Sequence, residues 1–288
     1  MSYIVIGATG HLGNLTIDSL LDRGIAPGDI IAAGRNTDKL SALAARGVRT
    51  QQIDLTDGSG LDTLFSPEDS VLLISGSELG QRVAQHGNAI DAAKAAGVNR
   101  LIYTSAPKAT TSPLVLAPEH KATEELVAAS GLPSTILRNG WYSENYVQAA
   151  DQARQTGTLL TSAGDGRISS ASRKDYAEAA AIALIDDSTT GRVYELSGDY
   201  AWTQQELAEA IGTAIGSDVA LSNVTPDEHH RILVAGGLDE GTAGFVVALD
   251  GNTRDGLLGV TTGELSTLIG RPTTPLVEGL SAAVAVSA

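Results

Sequence analysis

The order of apolar runs and amphipathic stretches predicts an α/β chain: a doubly wound parallel sheet followed by a smaller α+β domain. Three observations carry this. Apolar runs at 3–6, 29–33, 48–53, 70–74, 100–104 and 134–137 alternate with helical patterns at 12–23, 38–45, 61–65, 80–96 and 119–129, the rhythm of repeated strand–helix–strand units. Gly24, Gly47, Gly97 and Gly131 each fall just past a helical pattern, where a helix C-cap belongs. Val71, Leu72, Leu73 and Ile74 form a continuous apolar run, which marks a strand buried on both faces.

The first strand runs into Gly7-Ala8-Thr9-Gly10-His11-Leu12-Gly13, and a helical pattern follows. Gly7 permits a sharp turn, Gly10 lets a diphosphate approach the backbone, and Gly13 lets the helix pack closely on the sheet. The helix N-terminus then offers free N–H groups and partial positive charge to an anion. This is a Rossmann-type dinucleotide pattern. The second strand ends Ala33-Gly34-Arg35-Asn36. A carboxylate at that point would bind a ribose 2′-hydroxyl; Arg35 suits a 2′-phosphate, so NADP is expected. Lys39, one helical turn on, adds a second charge. Asp54, ending the third strand, is either a neighbour of the adenine or a turn residue.

Beyond residue 140 the rhythm loosens. Residues 164–166 read as a turn, 175–185 as an alanine-rich helix, 192–196 as a strand and 204–215 as a helix capped by Thr203. Residues 225–275 mix Gly, Asp, Thr and short apolar groups and are assigned helices. The expected division is an NADP-binding domain at 1–150 and a smaller substrate-cleft domain at 151–288, with the strand near 192–196 returning to the main sheet.

The 288 residues are 42% hydrophobic, enough for a substantial core. With 34 acidic against 19 basic residues the net charge is −15, which repels nucleic acid and anionic membranes. Cysteine is absent, which excludes disulfides and thiol chemistry. The five histidines lack metal-site spacing, and His229-His230 reads as a solvated helix face. No metal is expected. The chain enters a core strand within three residues and has no apolar run of about 18 residues. The expectation is a soluble cytoplasmic protein with neither nucleic-acid nor membrane partners; a homodimer is allowed for.

Four further blocks narrow the reading: Leu73-Ile74-Ser75-Gly76-Ser77-Glu78-x-Gly80-Gln81-Arg82, Ala92-Ala93-Lys94-Ala95-Ala96-Gly97-Val98, Leu137-Arg138-Asn139-Gly140-Trp141-Tyr142-Ser143-Glu144-Asn145-Tyr146 and Leu268-Ile269-Gly270-Arg271-Pro272-Thr273-Thr274. With the glycine turn, they resemble the NmrA-like branch of the atypical short-chain dehydrogenases/reductases, most closely its NADPH:quinone oxidoreductase 2 enzymes. The resemblance runs from residue 2 to about 286. It implies that Gly7, Ala8, Thr9, Gly10, His11 and Leu12 hold the pyrophosphate and Arg35 the 2′-phosphate. Ser75, Gly76 and Ser77 would line the nicotinamide ribose. Asn139, Gly140, Trp141, Tyr142, Ser143 and Glu144 would close over the cofactor, and Ser170 would touch it from the smaller domain. Asn145 is the candidate for polarising a substrate oxygen.

One departure matters. Ordinary short-chain dehydrogenases use Tyr-x-x-x-Lys, the tyrosine donating a proton. None of the seven tyrosines here has a lysine four residues on; in Ala117-Pro118-Glu119-His120-Lys121 alanine takes the tyrosine's place. Without that acid, a quinone is a suitable hydride acceptor, because its reduced form is a stabilised phenolate that solvent can protonate. His120 either relays a proton or is a surface or packing residue. Trp141, Tyr142 and Tyr146 either line an apolar cleft or belong to the core. The expected activity is NADPH-dependent reduction of a quinone or similar small aromatic acceptor. The alternatives are a triphenylmethane-dye or carbonyl/enone reductase, and a non-catalytic NADP-sensing regulator of NmrA type.

Overall fold

The computed structural model describes residues 1–78 and 80–287. In chain order its elements begin with β1 (Tyr3–Ile6), α1 (His11–Asp22), β2 (Ile30–Gly34), α2 (Thr37–Ala44) and β3 (Arg49–Gln52). There follow β4 (Ser70–Leu73), α3 (Arg82–Ala96), β5 (Arg100–Ser105), α4 (Ala117–Ser130) and β6 (Ser134–Asn139). Next come α5 (Val147–Thr156), β7 (Thr158–Thr161), α6 (Arg173–Ile185), β8 (Val193–Leu196) and α7 (Gln204–Ile215). The last are β9 (Ala220–Asn223), α8 (Pro226–Ala235), α9 (Glu240–Arg254), α10 (Glu264–Ile269) and α11 (Leu276–Ser287).

Two compact units form. The first comprises Met1–Thr110, Leu116–Asn139 and Arg173–Leu196; the second comprises Thr111–Val115, Gly140–Ser172 and Ser197–Ala288. The first long crossing therefore falls after Asn139 rather than near 150, and α6 and β8 return to the first unit.

The first unit holds a parallel seven-stranded sheet of order β3-β2-β1-β4-β5-β6-β8. The winding reverses between β1 and β4. Such a reversal opens a crevice at the C-terminal strand ends, where doubly wound sheets bind ligands. Alternate strand positions share a face: Ile4, Ile6, Ile31, Ala33, Val71, Leu73, Leu101 and Tyr103 cluster with Ala89, Ile90 and Ala93 of α3 and Val127 of α4. Helices α1 and α6 pack together, and the buried alanines 177, 179–181 and 183 let α6 approach β4, β5 and β6 closely. The edge strand β3 is polar, with Arg49, Thr50 and Gln52 exposed, which discourages pairing with another chain.

In the second unit β7 pairs in parallel with β9, and α7 packs on α11. Neither strand was expected, because four residues between turns carry little pattern. The expected helix at 61–65 is a turn instead, with Leu61 N–H bonded to the Gly58 carbonyl. Five residues cannot repay helix nucleation, although Leu61 and Leu64 are buried in the core cluster. His229 is also not solvated. It is buried, with Nδ1 3.0 Å from Ser162 Oγ and 3.2 Å from Asp250 Oδ2. Both partners face the same ring nitrogen.

Candidate functional site

The glycine turn is stitched to the end of β2. Gly7, at φ +88°, donates to the Ala33 carbonyl at 3.0 Å, and Ala8 N–H reaches the same oxygen at 3.1 Å. A Cβ on Gly13 would lie 2.3 Å from the Gly7 carbonyl oxygen and 2.7 Å from Ala8 Cα, so no side chain fits there. Gly10 N-caps α1 without a side-chain hydrogen bond, and the first turn carries no acidic residue. Gly10 and His11 are exposed. The positive dipole end of a three-turn helix thus meets solvent at Gly10 and His11 with no capping side chain, which fits a diphosphate. Ala8 and Leu12 are buried and support the turn from below.

Two cations stand past β2. Arg35 is exposed, and its Nη2 lies 2.6 Å from Glu78 Oε1. Lys39 Nζ donates to the Thr9 carbonyl at 3.2 Å, while Asn36 caps α2 by accepting from Lys39 N–H at 2.9 Å. The Asp54 carboxylate accepts from Thr56 N–H at 2.8 Å within the turn that follows β3.

Across the winding reversal, Ile74 N–H bonds the Ile6 carbonyl, which sets the loop after β4 beside the glycine turn. Among its described residues that loop is held at almost every position. Ser75 N–H donates to Thr104 Oγ1 at 2.9 Å. Gly76 N–H donates to His86 Nε2 at 3.1 Å, and Arg82 Nε donates to the Gly76 carbonyl at 2.8 Å. Glu119 of α4 accepts from Arg82 Nη1 at 3.1 Å and from Gly80 N–H at 2.9 Å. Gln85 Nε2 donates to Glu78 Oε2 at 2.7 Å. Ser77 is exposed at the tip. Sequence reasoning assigned no role to Glu78, Arg82, Gln85, His86 or Glu119. A signal was present: Arg82, Gln85 and His86 are polar residues at i, i+3 and i+4 on the buried face of an alanine-rich helix.

His120 lies inside the first unit, not at its surface. It is buried, and Nδ1 sits 2.9 Å from the Tyr103 hydroxyl. Burial lowers its pKa to about 3, with the Arg82 charge adding to the effect, and it raises that of Tyr103. Burial likewise lowers His86 to about 4, again helped by Arg82. Both imidazoles are neutral near neutral pH.

Asn139 ends β6 and is buried in the first unit; the rest of its block belongs to the second. There Ser143 Oγ and Ser170 Oγ meet at 2.9 Å, and Trp202 Nε1 donates to Ser170 Oγ at 3.0 Å. The Trp141, Tyr142 and Ser143 segment runs beside Ala171 through Ser143 N–H to the Ala171 carbonyl and Ala171 N–H to the Trp141 carbonyl. Gly140, Trp141, Tyr142 and Glu144 are half-buried, and Asn145 is exposed on a short helical turn, Ser143–Tyr146. Tyr146 packs edge-on against Trp202, with ring centroids 5.3 Å apart, and burial pushes its phenol well above the usual range. Among the described residues no group of three or more His, Cys, Asp or Glu could hold a metal ion. None of their helices is long and apolar enough to cross a membrane.

Residues 7–187 match the model of the NAD(P)H-binding family. The chain is 44% identical over 277 residues to quinone oxidoreductase 2 of Escherichia coli, covering 96% of each protein. The crystal structure of NADPH-dependent quinone oxidoreductase from that organism, complexed with NADPH, superposes with a TM-score of 0.92 over 97% of this chain and 99% of that one. Citrobacter sp. triphenylmethane reductase complexed with NADP(H) is 33% identical, with a TM-score of 0.89 over 98% and 100%. An NmrA-like oxidoreductase of Aspergillus flavus is 30% identical over 235 residues, 79% of this chain and 76% of its own. The chain belongs to the NAD(P)H-binding family, within its NmrA-like oxidoreductases.

Proposed function

We propose that this protein is an NADPH-dependent oxidoreductase that transfers hydride to a quinone or a similar small aromatic acceptor. The observation that carries it is a dinucleotide-type turn at the winding reversal of the sheet, in a chain 44% identical to a quinone oxidoreductase over nearly its whole length. In this reading Gly7 to Leu12 cradle the pyrophosphate and Arg35, seconded by Lys39, takes the 2′-phosphate. Ser75, Gly76 and Ser77 hold the nicotinamide ribose. Asn139 to Glu144 and Ser170 complete the cofactor's surroundings, and Asn145 donates a hydrogen bond to the acceptor oxygen. Bound NADPH supplies the hydride. His120, buried and uncharged against Tyr103, is assigned to packing, so solvent protonates the product. The same reading places the enzyme in the cytoplasm, with a small-molecule partner and without nucleic acid, whose phosphates the net charge of −15 opposes.

The test is NADPH oxidation followed spectrophotometrically with a panel of small quinones. Turnover of quinones supports the reading. Turnover of triphenylmethane dyes alone would move the likeness to the Citrobacter enzyme ahead. Binding of NADPH with no turnover of any quinone, dye, enone or carbonyl would favour a regulator.

A further inference from the structure

The residue that Arg35 pairs with comes from a different strand–helix connection. Glu78 lies 43 residues further along the chain, in the loop that also carries Ser75, Gly76 and Ser77. Its two oxygens have separate partners. Oε1 takes Arg35 Nη2 at 2.6 Å and Oε2 takes Gln85 Nε2 at 2.7 Å. Gln85 is itself buried in the first turn of α3, so it fixes the carboxylate's position from the protein side. The end of β2 has no carboxylate of its own, yet one is delivered to the same guanidinium by this loop. Asp54 acts on Glu78 as a like charge, opposing the effect of Arg35.

Two opposite recognition groups therefore meet at one point. A guanidinium binds a phosphate through parallel N–H bonds, whereas a carboxylate repels a phosphate and accepts from a hydroxyl. We propose that Glu78 sets the cofactor preference. Its carboxylate competes with the 2′-phosphate of NADPH for Arg35 and accepts a hydrogen bond from the ribose 2′-hydroxyl of NADH, so the enzyme binds both cofactors and favours NADPH less than Arg35 alone would allow. This rests on the reading of Arg35 as the 2′-phosphate residue.

The test uses titration calorimetry on the full chain with NADPH, NADH and the fragment adenosine 2′,5′-bisphosphate, comparing wild type, Glu78→Gln, Arg35→Ala and the double variant. Glu78→Gln keeps the shape and the Gln85 contact and removes the charge. It is expected to tighten NADPH and the bisphosphate by about 3- to 10-fold, as for loss of one partly screened like charge, and to weaken NADH by a similar factor. In the Arg35→Ala background, Glu78→Gln should change NADPH affinity less than it does in the presence of Arg35, the non-additivity expected of residues in contact. A wild type that binds NADPH while Glu78→Gln shifts neither cofactor, or shifts both alike, overturns the proposal and leaves the function standing. A wild type that binds neither cofactor overturns the function reading as well.

Discussion

His86 Nε2 accepts a hydrogen bond from Gly76 N–H at 3.1 Å, and this contact assigns the ring's proton. Because Nε2 accepts, the neutral ring carries its hydrogen on Nδ1, which lies 3.0 Å from Thr123 Oγ1. The Thr123 hydroxyl in turn donates to the Glu119 carbonyl at 2.9 Å, so it is free to accept. Protonation of His86 would place two N–H groups against each other at Gly76.

Stability should therefore fall in acid. The folded pKa of His86 is lowered to about 4, and that of His120 to about 3, from 6.5 in both cases. Between those values the unfolded chain binds more protons than the native one. The contribution is fully present above about 6.5 and is lost as pH drops toward the folded pKa. The slope is about 1.4 kcal/mol per pH unit per histidine within the window. Urea denaturation across this range measures it, and His120→Phe should remove one histidine's share. A flat profile from pH 6.5 to 4 would refute the neutral, buried assignment.

Arg35→Ala should cost NADPH binding the value of a charge-assisted pair, about 1.5–3 kcal/mol, or roughly 10- to over 100-fold, while sparing NADH. Fluorescence titration with both cofactors checks it. Unchanged NADPH affinity in Arg35→Ala would remove the role given to Arg35.

Arg138→Met should destabilise the first unit by about 3 kcal/mol. Its guanidinium holds Glu124 at 2.6 and 2.9 Å and Glu195 at 2.8 Å, which joins β6 to α4 and β8, and these carboxylates raise its pKa above the usual arginine value. Removal leaves two largely buried carboxylates without their countercharge. The shift in denaturation midpoint measures the loss. An unchanged midpoint would show that solvent replaces the pair at no cost.

Asn145→Ala should lower kcat for quinones by about 10²- to 10³-fold, the usual cost of removing a donor that strengthens in the transition state. NADPH affinity should be nearly unchanged, since Asn145 is exposed on its helical turn and is not assigned to the cofactor. Full retained activity would return Asn145 to a surface role.

Local rules made the glycine turn, the alternation of strands and helices and the caps legible. Gly7, Gly10 and Gly13 act through backbone geometry within seven residues, and Thr203 forms its capping box with Glu206 three residues on. These interactions close over distances at which the chain order itself dictates contact. The tertiary structure decided what depends on distant partners. It turned 61–65 into a loop because Leu61 and Leu64 could be buried without a helix. It buried His120 against Tyr103 and His229 against Ser162 and Asp250. It also brought Glu78 to Arg35 and His86 to Gly76. A titratable or polar side chain reads alike in sequence whether it faces water or a partner. Its charge and its role are fixed only when strand order chooses its neighbours, because burial and pairing, not residue type, set the energy of a charge.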